Sequence, residues 1–508
     1  MSLSAILALA LGQASIGSIN TFTPPGWSQY GGNPQHTSLS AYPAQPLRAI
    51  QWSNPVDYDP QYSGNDLLIH YGTPLITRLG TVVAPAKIGA TDGIDFLGFF
   101  PDGTLKYILG TDYTFPPHGW TPSCAGCLVL GNYYLAVPGS AGTIYLLQNP
   151  DLPLNQPTQL CYYGMSEYKA SDMIQAQYDA NVKICTPLMS SPVSQIYFGV
   201  RVLGPTDANL ESGFVQMTVT PNLGNFISVK DACGDNTMTE PVMNCAPALS
   251  NDGKYVYIVV SNGDFGHGYL VCMDTHTWKP VGKVRLKDPD GNDAALPDSG
   301  TASPMVGPDG DVYFGVLENP FPYNHDRGWM LHFNWNLKVQ KPTGAFGWDD
   351  TASVVPARAV PSYIGSSPYL ILTKYNNYAG VGGDGRNKVA ILDPNSTQVD
   401  PITGNTVMKE VLTVVGVTPD PEFSGVPGAV REWCINSAAI DPFNKSAIIN
   451  SEDGTAYRWN FTTNTLDQSI VLTPGIGEAY TPTLISPNGT AYAINNATLF
   501  GLGLPIAH

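Results

Sequence analysis

The stretch "SPMVGPDGDVYFG", residues 303–315, places a proline before an apolar pair, then a turn, then a second apolar run. The Asp-Gly pair in the turn allows the positive φ that a tight hairpin needs, so the stretch predicts two short antiparallel strands. The pattern returns as "CAPALSNDGKYVYIVV" from Cys245 and as "TPTLISPNGTAYAIN" from Thr481. Three copies of one hairpin indicate a repeat protein.

Alignment on the proline and the strand that follows extends the repeat to eight copies. They are centred on Pro74, Pro122, Pro187, Pro247, Pro304, Val354, Ala438 and Pro482. Each copy is followed by a further strand, such as "GYLVCMD" or "NKVAILD". A unit of three or four short strands cannot bury both of its faces alone, and radial packing solves that problem. The sequence therefore predicts an all-β, eight-bladed propeller with loop insertions, and a solenoid is the alternative.

The two ends of the repeat region predict how the ring closes. After "ATLFGLG" only residues 504–508 remain, too few for the fourth strand of the last repeat. The stretch "LRAIQWSN", Leu47 to Asn54, is strand-like and precedes the first repeat. We expect it to complete the last blade, because closure removes an open sheet edge. The expected domain organisation is one propeller over residues 21–508 after an N-terminal extension, residues 1–20.

Composition and charge narrow the class of partner. Charged residues make up 13% of the chain, about half the usual share, while 52 glycines and 44 prolines suit many turns between short strands. The net charge of −17 reflects only 24 basic residues against 41 acidic ones, and the basic residues form no cluster. Nucleic acid is therefore excluded as a partner. No segment after the N-terminus is apolar over the length of a membrane span.

The N-terminal segment and the cysteines are informative about the cellular location of the protein. The opening "MSLSAILALALGQASIGS" has an apolar stretch and an Ala-x-Ala-like site near Ala14 but lacks a basic start, so an atypical export signal competes with a short helix. The first interpretation predicts a secreted, periplasmic or extracellular protein. In such a compartment disulfides are expected. The pairs considered are Cys233–Cys245 first, then Cys161–Cys185 and Cys124–Cys127; Cys272 and Cys434 stay open between disulfides and buried thiols.

One stretch carries a resemblance to a known family. "WSQYGGNPQHTSLS", Trp27 to Ser40, followed by "LRAIQW" and the repeat units, resembles the pyrroloquinoline-quinone-like (PQQ-like) propeller repeat family from about Trp27 to Gly503. That family includes quinoprotein dehydrogenases and outer-membrane assembly scaffolds. In the dehydrogenases a vicinal Cys-Cys disulfide covers the quinone, a Trp lies beneath it, and Glu, Asn and Asp hold calcium or a lanthanide. This sequence has no adjacent Cys pair, so none of those residues is transferred and PQQ is not expected; no cofactor is assigned, and calcium stays a candidate.

In a propeller, the loops that lead into the innermost strands gather at one face, where ligands usually bind. Here those loops supply the aromatic residues Tyr71, Trp120, Trp348, Trp433 and Tyr480 and the polar residues His70, His118, Asn244, Asp349, Asp350, Arg431, Glu432 and Glu478. Aromatic faces beside carboxylates suit a sugar ring or a cation. Asp349, Asp350, Glu432 and Glu478 are also candidate catalytic acids and bases. The alternative is structural: indoles packed between blades and aspartates that cap strands.

Two other segments are weaker candidates. "KDPDGNDAALPD", residues 287–298, offers possible metal ligands in the order of a calcium loop without the distal Glu, and a solvated turn is the alternative. These ligands are Asp288, Asp290, Asn292 and Asp293. "TKYNNYAGVGGDGRNK", residues 373–388, is a polar, glycine-rich loop in which Lys374 and Tyr378 could face a ligand.

Three functions remain open. The first is an exported binding or scaffolding module that takes a small molecule, a glycan or a protein at the channel face. The second is a carbohydrate-active hydrolase or lyase that uses the carboxylates of that face. The third is a quinone- or metal-dependent oxidoreductase. No nucleophile elbow, phosphate-binding loop or His-Glu-x-x-His motif occurs, which favours the first.

Overall fold

A computed structural model describes residues 26–64, 66–89, 93–123, 125–131, 133–152, 156–220, 223–298, 300, 302–475 and 482–506. The export-signal prediction for residues 1–20 lies outside them. Strands hold 42% of the chain and helices 7%, so the all-β expectation is correct. Among the described residues no helix has the length and apolar character of a membrane span.

Most strands form antiparallel sheets of four that follow one another along the chain, and we label them A to H. Sheet A comprises Leu75–Ile76, Val82–Lys87, Ile94–Phe99 and Leu105–Leu109. Sheet B comprises Cys127–Val129, Tyr134–Pro138, Thr143–Gln148 and Thr158–Cys161. Sheet C comprises Met189–Ser190, Gln195–Val202, Gly213–Thr218 and Asn225–Ser228, with Val182–Ile184 added. Sheet D comprises Ala248–Leu249, Tyr255–Ser261, Gly268–Asp274 and Lys279–Arg285, with Glu240–Pro241 added.

The second half of the chain repeats this arrangement. Sheet E comprises Met305–Val306, Val312–Val316, Trp329–Phe333 and Gln340–Gly344. Sheet F comprises Ser353–Pro356, Tyr369–Lys374, Lys388–Val399 and Thr406–Val415, and one parallel pair, Thr343 with Val407, joins it to sheet E. Sheet G comprises Ala439–Asp441, Ser446–Asn450, Thr455–Asn460 and Thr465–Val471. Sheet H comprises Leu484–Ile485, Ala491–Asn495, Thr498–Gly503 and, from the N-terminal region, Ala49–Pro55.

Short elements decorate the sheets. Tyr62–Ser63 and Asp66–Leu67 pair as a separate hairpin. Between sheets B and C the chain forms the helices Met165–Tyr168 and Asp172–Asn181, and Val229–Cys233 follows sheet C. Single turns of 3₁₀ helix lie at Tyr30–Gly32, Ser140–Gly142, Ala357–Ala359 and Ala379–Val381.

The repeated turn has the geometry that its sequence requires. In the quoted stretch Met305–Val306 pairs with Val312–Val316, and Gly310 lies between them with φ of 90°. Gly253 and Gly489 hold the same place in sheets D and H, with φ of 72° and 85°. Glycine adopts this left-handed conformation without steric cost, which explains why the Asp-Gly and Asn-Gly signals recur.

Residues 27–45 form an irregular segment, here called the belt, that contacts the first strand of one sheet after another. The N–H groups of five first-strand residues donate to belt carbonyls: Leu128 to Ser28, Leu249 to Pro34, Val306 to Gln35, Val354 to Thr37 and Ile440 to Ser38, all at 2.7–2.9 Å. In sheet C the Ser190 N–H donates to the side-chain Oε1 of Gln29 at 2.8 Å.

The ends of the belt contact sheets A and H. Trp27 exchanges two backbone hydrogen bonds with Ile76 of sheet A, and the Gln45 N–H donates to the Gly489 carbonyl of sheet H at 2.8 Å. The belt therefore meets the sheets in the order A to H, which is their order in the chain.

Apolar packing links neighbouring sheets in the same order. Val83, Leu128 and Phe198 share a cluster that joins sheets A to C. A different cluster joins the two ends, because Trp52 and Tyr492 of sheet H pack with Phe99 of sheet A. The Trp52 indole also donates to the Pro101 carbonyl at 3.0 Å.

The disulfide predictions are wrong. Cys233, Cys245, Cys161, Cys185 and Cys127 are all buried, and no described cysteine is in a disulfide, Cys272 and Cys434 included; Cys124 lies outside the described residues. Cys233 closes a helix, where its thiol donates to the Val229 carbonyl at 3.1 Å, and it packs in a different cluster from Cys245. Cys161 packs against Tyr168 and Tyr178 of the helical insertion, in a cluster that does not include Cys185. Cysteines that are close in the sequence therefore do not face each other in the structure.

The belt contains a histidine that the fold holds uncharged. His36 is fully buried, and its Nδ1 lies 2.7 Å from the Pro304 carbonyl, so Nδ1 carries the proton and donates. Its Nε2 is buried without a hydrogen-bond partner in the described part of the chain. Burial lowers the pKa of His36 from 6.5 to about 4.

This environment predicts a loss of stability in mild acid. The unfolded chain binds the His36 proton near pH 6.5 and the folded chain only near pH 4, so stability falls as the pH drops through that window. H36Q should lose roughly 3 kcal/mol less free energy of unfolding than the wild type between pH 7 and pH 4, measured by urea denaturation. The exposed His276 provides the control H276Q, which should follow the wild type. Equal pH slopes for H36Q and the wild type would contradict the assignment.

Candidate functional site

The predicted aspartates at the channel mouth form a buried cluster with a lysine. Asp349 and Asp350 precede the first strand of sheet F, and Lys374 ends its second strand. The Lys374 Nζ lies 4.0 Å from Asp349 Oδ2, and both side chains are about 3% exposed. The Thr373 hydroxyl and the Lys374 N–H, the latter at 3.2 Å, donate to Asp350 Oδ2. Burial raises the pKa of Asp350 to about 7, against the opposing charge of Lys374.

His70 and Trp120 lie at this cluster, as the sequence predicted. Their ring centroids are 5.4 Å apart. Burial lowers the pKa of His70 to about 4, while the charge of Asp349 acts in the opposite direction. His70 is therefore a neutral imidazole at neutral pH. The charge of His118 also reaches His70, although His118 itself is partly exposed.

Tyr30 of the belt reaches the same region. Its hydroxyl hydrogen-bonds to Thr351 Oγ1 at 2.9 Å and donates to Asn436 Oδ1. Burial raises the pKa of Tyr30, and the charge of Asp349 raises it further. The belt thus supplies a side chain to the mouth that the sequence argument did not include.

A second acidic group lies on the sheet G side of the mouth. One ligand atom from each of Glu432, Cys434 and Glu452 lies within 4.8 Å of the others. Burial raises the pKa of Glu452 to about 7, against the opposing charge of Arg431. The Arg431 guanidinium contacts three carboxylates, Glu422 at 2.8 Å, Glu452 at 3.4 Å and Asp420 at 3.8 Å.

Tyr378 lies within electrostatic range of both acidic groups. Burial raises its pKa, and the charges of Glu432, Cys434 and Asp349 all raise it further. The glycine-rich loop of residues 373–388 therefore faces the mouth through Lys374 and Tyr378. Sequence reasoning missed Glu452, which lies in the turn between the second and third strands of sheet G. The signal was available, because in an antiparallel sheet that turn lies at the same end as the loop entering the first strand.

Three predicted ligand-binding residues form hydrogen bonds or packing contacts with other parts of the protein. The Tyr71 hydroxyl accepts the Ala497 N–H at 2.6 Å. The Asn244 amide donates to the carbonyls of Asp298 and Gly300 and accepts the Ser123 N–H, all at 2.8–3.1 Å. Trp433 is buried, with its ring against Tyr457 and its backbone held by the Asn376 amide. These residues link blade elements as packing and hydrogen-bonding groups, the alternative raised for the indoles.

Trp348 is the predicted aromatic that borders a small cavity. It is half-buried, and the cavity has a volume of about 20 Å³, enough for one water molecule. Asp349 is the one charged residue of that lining, which otherwise includes Val242, Leu296 and Phe314. Glu478 and Tyr480 lie outside the described residues.

In the candidate calcium loop, the carboxylates of Asp288 and Asp293 accept hydrogen bonds from other groups of the protein. Asp288 Oδ1 accepts the N–H groups of Asp290 and Asn292 at 3.0 and 2.9 Å, while the Tyr323 hydroxyl and the Asn292 amide both donate to its Oδ2 at 3.2 Å. Asp293 accepts two bonds from the Arg285 guanidinium at 3.0 and 2.8 Å. This is the pattern of a turn closed by its own hydrogen bonds. Calcium at this loop stays a prediction.

Comparison with known proteins identifies the fold. No protein-family model matches the sequence, and no curated protein matches it. A europium-containing methanol dehydrogenase superposes with a TM-score of 0.53 at 10% identity, over 93% of this chain and 89% of that one. A quinohemoprotein alcohol dehydrogenase from Comamonas testosteroni gives 0.55 at 10% identity, over 96% and 82%. The chain has the fold of the PQQ-like β-propellers. BamB from Moraxella catarrhalis gives 0.44 at 10% identity, over 91% and 98%.

The residues of the mouth do not fit the quinone of the dehydrogenases. No disulfide forms among the described cysteines, so none covers a quinone there. The Asn244 amide already bonds Ser123, Asp298 and Gly300, and Trp433 is buried in the core. PQQ carries several carboxylates, whereas Lys374 and Arg431 are already engaged with acids. An acidic mouth repels such a ligand.

The acid and lysine cluster predicts a structural penalty when the lysine is removed. K374M leaves Asp349 and Asp350 buried without their cation, and we expect it to lower the free energy of unfolding by roughly 3 kcal/mol. The double variant K374M/D349N should recover part of this loss, because it removes an uncompensated charge as well. Chemical denaturation at pH 7.5 measures both, and K338M at an exposed lysine is the control. A K374M protein as stable as K338M would show that the cluster contributes nothing.

Proposed function

We propose that sheets A to H are eight blades around one axis, closed into a ring by Ala49–Pro55, in a single domain that begins near residue 21. Three observations support this architecture. The belt meets the sheets in chain order, Trp52 packs sheet H against sheet A, and Ala49–Pro55 pairs with Thr498–Gly503. A ring of this kind leaves only short, protected sheet edges.

We propose further that the protein is a non-catalytic binding or scaffolding module. The observation that carries this proposal is the occupation of the channel mouth by the protein's own groups. Asp350 accepts hydrogen bonds from Thr373 and Lys374, Asp349 faces Lys374, and the Asn244 amide bonds three other residues of the protein. Catalytic acids normally keep open positions toward a substrate, and buried, fully bonded polar groups normally stabilise a fold.

A hydrolase or lyase remains the second candidate because of one feature, the half-buried pair Glu432 and Glu452. A carboxyl group with a pKa of about 7 holds a proton near neutral pH and suits a general acid. Against this function, Arg431 contacts Glu452, and the Glu452 carboxylate accepts the Glu432 N–H at 3.2 Å. The Glu452 N–H in turn donates to the Glu432 backbone carbonyl at 3.1 Å. Export from the cytoplasm stays a prediction that rests on residues 1–20.

Reconstitution with PQQ separates the binding module from the oxidoreductase. The purified protein is incubated with PQQ and either Ca²⁺ or a lanthanide, desalted, and examined by absorption spectroscopy and dye-linked alcohol oxidation. We expect no retained quinone and no turnover, because the mouth offers carboxylates where a polycarboxylate would need cations. Stoichiometric retention of PQQ that D349N abolishes would contradict the binding-module proposal. Release of reducing ends from a polysaccharide panel, lost in E452Q, would favour the hydrolase instead.

A further inference from the structure

A second open surface lies at the end of sheets D and E opposite the channel mouth. The mouth residues precede the first strands, whereas the turns at Ser250–Asp252 and Pro308–Gly310 follow them, so the two sets lie at opposite ends of the same strands. These turns border a pocket of about 450 Å³ together with Tyr255, Tyr257 and Trp335. We call this surface the indole platform.

In this turn of sheet E a residue other than Trp335 fills the buried position between the blades. The corresponding turn of sheet D buries Trp278, which has φ of 53°, is 6% exposed and packs against Tyr197 of sheet C. In sheet E the residue with the matching backbone is Leu337, with φ of 62°, which is 2% exposed in the core. Leu337 therefore fills the place that Trp278 fills in sheet D. Trp335 is an additional indole, and 44% of it is exposed.

The platform holds a flat aromatic surface in a fixed position. The rings of Trp335 and Tyr255 stack with centroids 4.9 Å apart at 28°. The Tyr257 hydroxyl donates to the Trp335 carbonyl at 2.8 Å and so anchors the backbone of the turn. A rigid aromatic face binds ligands with a low cost in side-chain entropy.

Donors and acceptors surround this surface. Trp335 and Tyr255 both border the pocket and bring an indole N–H and a phenol O–H to its rim. The exposed Asp309 uses Oδ1 to accept from Tyr369 and Asp311, at 2.8 and 3.1 Å. The Asn251 amide donates to the Gly307 carbonyl at 2.8 Å, which directs its side chain along the same turn.

We propose that the indole platform binds a sugar ring of a neutral carbohydrate. A pyranose offers an apolar C–H face for the indole and a rim of hydroxyls that both donate and accept, which matches a stacked aromatic pair bordered by an N–H, a phenol, an amide and a carboxylate. The pocket has room for one or two such rings. This inference rests on the proposed binding function and gives it a ligand class and a place away from the channel.

The geometry disfavours the main competitor, a proline-rich peptide. Such peptides dock between aromatic rings that stand apart and form slots. Trp335 and Tyr255 are in stacking contact, so they leave no slot between them.

Titration calorimetry against a defined panel tests the proposal. The probes are maltotriose, cellotriose, xylotriose, mannotriose and N-acetylchitotriose, with deca-proline as the competing ligand. We expect at least one trisaccharide to bind with a Kd below about 1 mM. W335A should weaken that binding at least about tenfold, and W335F, which keeps a smaller ring, should weaken it less. Trp335 is exposed, so both variants should melt with the wild type.

F443A is the matched control, because Phe443 is also exposed but lies in a turn of sheet G; it should bind as the wild type does. The proposal is overturned if no trisaccharide of the panel binds, if binding survives W335A unchanged, or if only deca-proline binds in a Trp335-dependent way. Each of these results leaves the quinone reconstitution result intact. Retained quinone would instead contradict the proposed binding function. Sugar binding at the indole platform is measured independently of that result.

Discussion

The pairing of the belt with the first strands is the constraint on which the rest of the structure depends. Each first strand has only two to four residues, and its inner edge faces away from its own sheet. Buried backbone N–H groups on such an edge cost free energy unless they find acceptors. Carbonyls of Ser28, Pro34, Gln35, Thr37 and Ser38 provide those acceptors in five sheets. The belt therefore supplies hydrogen-bond acceptors to the N–H groups of the inner edges and determines the order in which the sheets are arranged.

This arrangement also decides what the channel can hold. The belt fills its inside with groups such as Tyr30 and His36, and the mouth is closed by the bonded cluster of Asp349, Asp350 and Lys374. Asp349 and Asp350, two of the acids proposed from the sequence, are thereby engaged by Lys374 and Thr373. The open surface with polar groups at its rim lies at the opposite end of sheets D and E, around Trp335. A shared fold with quinoprotein dehydrogenases is compatible with this difference, because function is carried by sites and not by the scaffold.

The repeat and its strands could be predicted because their signals are local. A proline, an apolar pair and an Asp-Gly or Asn-Gly turn define each hairpin within a few residues, and Gly253, Gly310 and Gly489 adopt the conformation this implies. The convergence of His70, Trp120, Asp349 and Glu432 on the mouth followed from strand order alone. The belt was visible only as the motif from Trp27 to Ser40. Its hydrogen bonds come mainly from backbone carbonyls, which leave no periodic mark in the sequence.

The errors have a common physical origin. Cys233 and Cys245 are close in sequence but belong to different apolar clusters, and sequence spacing does not report which way two side chains point. Asn244 and Tyr71 accept hydrogen bonds from Ser123 and Ala497, partners far away in the chain that sequence spacing does not reveal. Trp335 escaped notice because its exposure depends on Leu337 taking the buried position, which only the backbone conformation reveals.

Hydrogen exchange of the first-strand amides tests the role of the belt most directly. The N–H groups of Leu128, Leu249, Val306, Val354 and Ile440 donate to the belt and to no strand of their own sheet. We predict that, in the intact protein, they exchange as slowly as the paired amides of the second strands. Exchange of these five amides at the rate of an open sheet edge, in a protein whose second strands remain protected, would contradict the account.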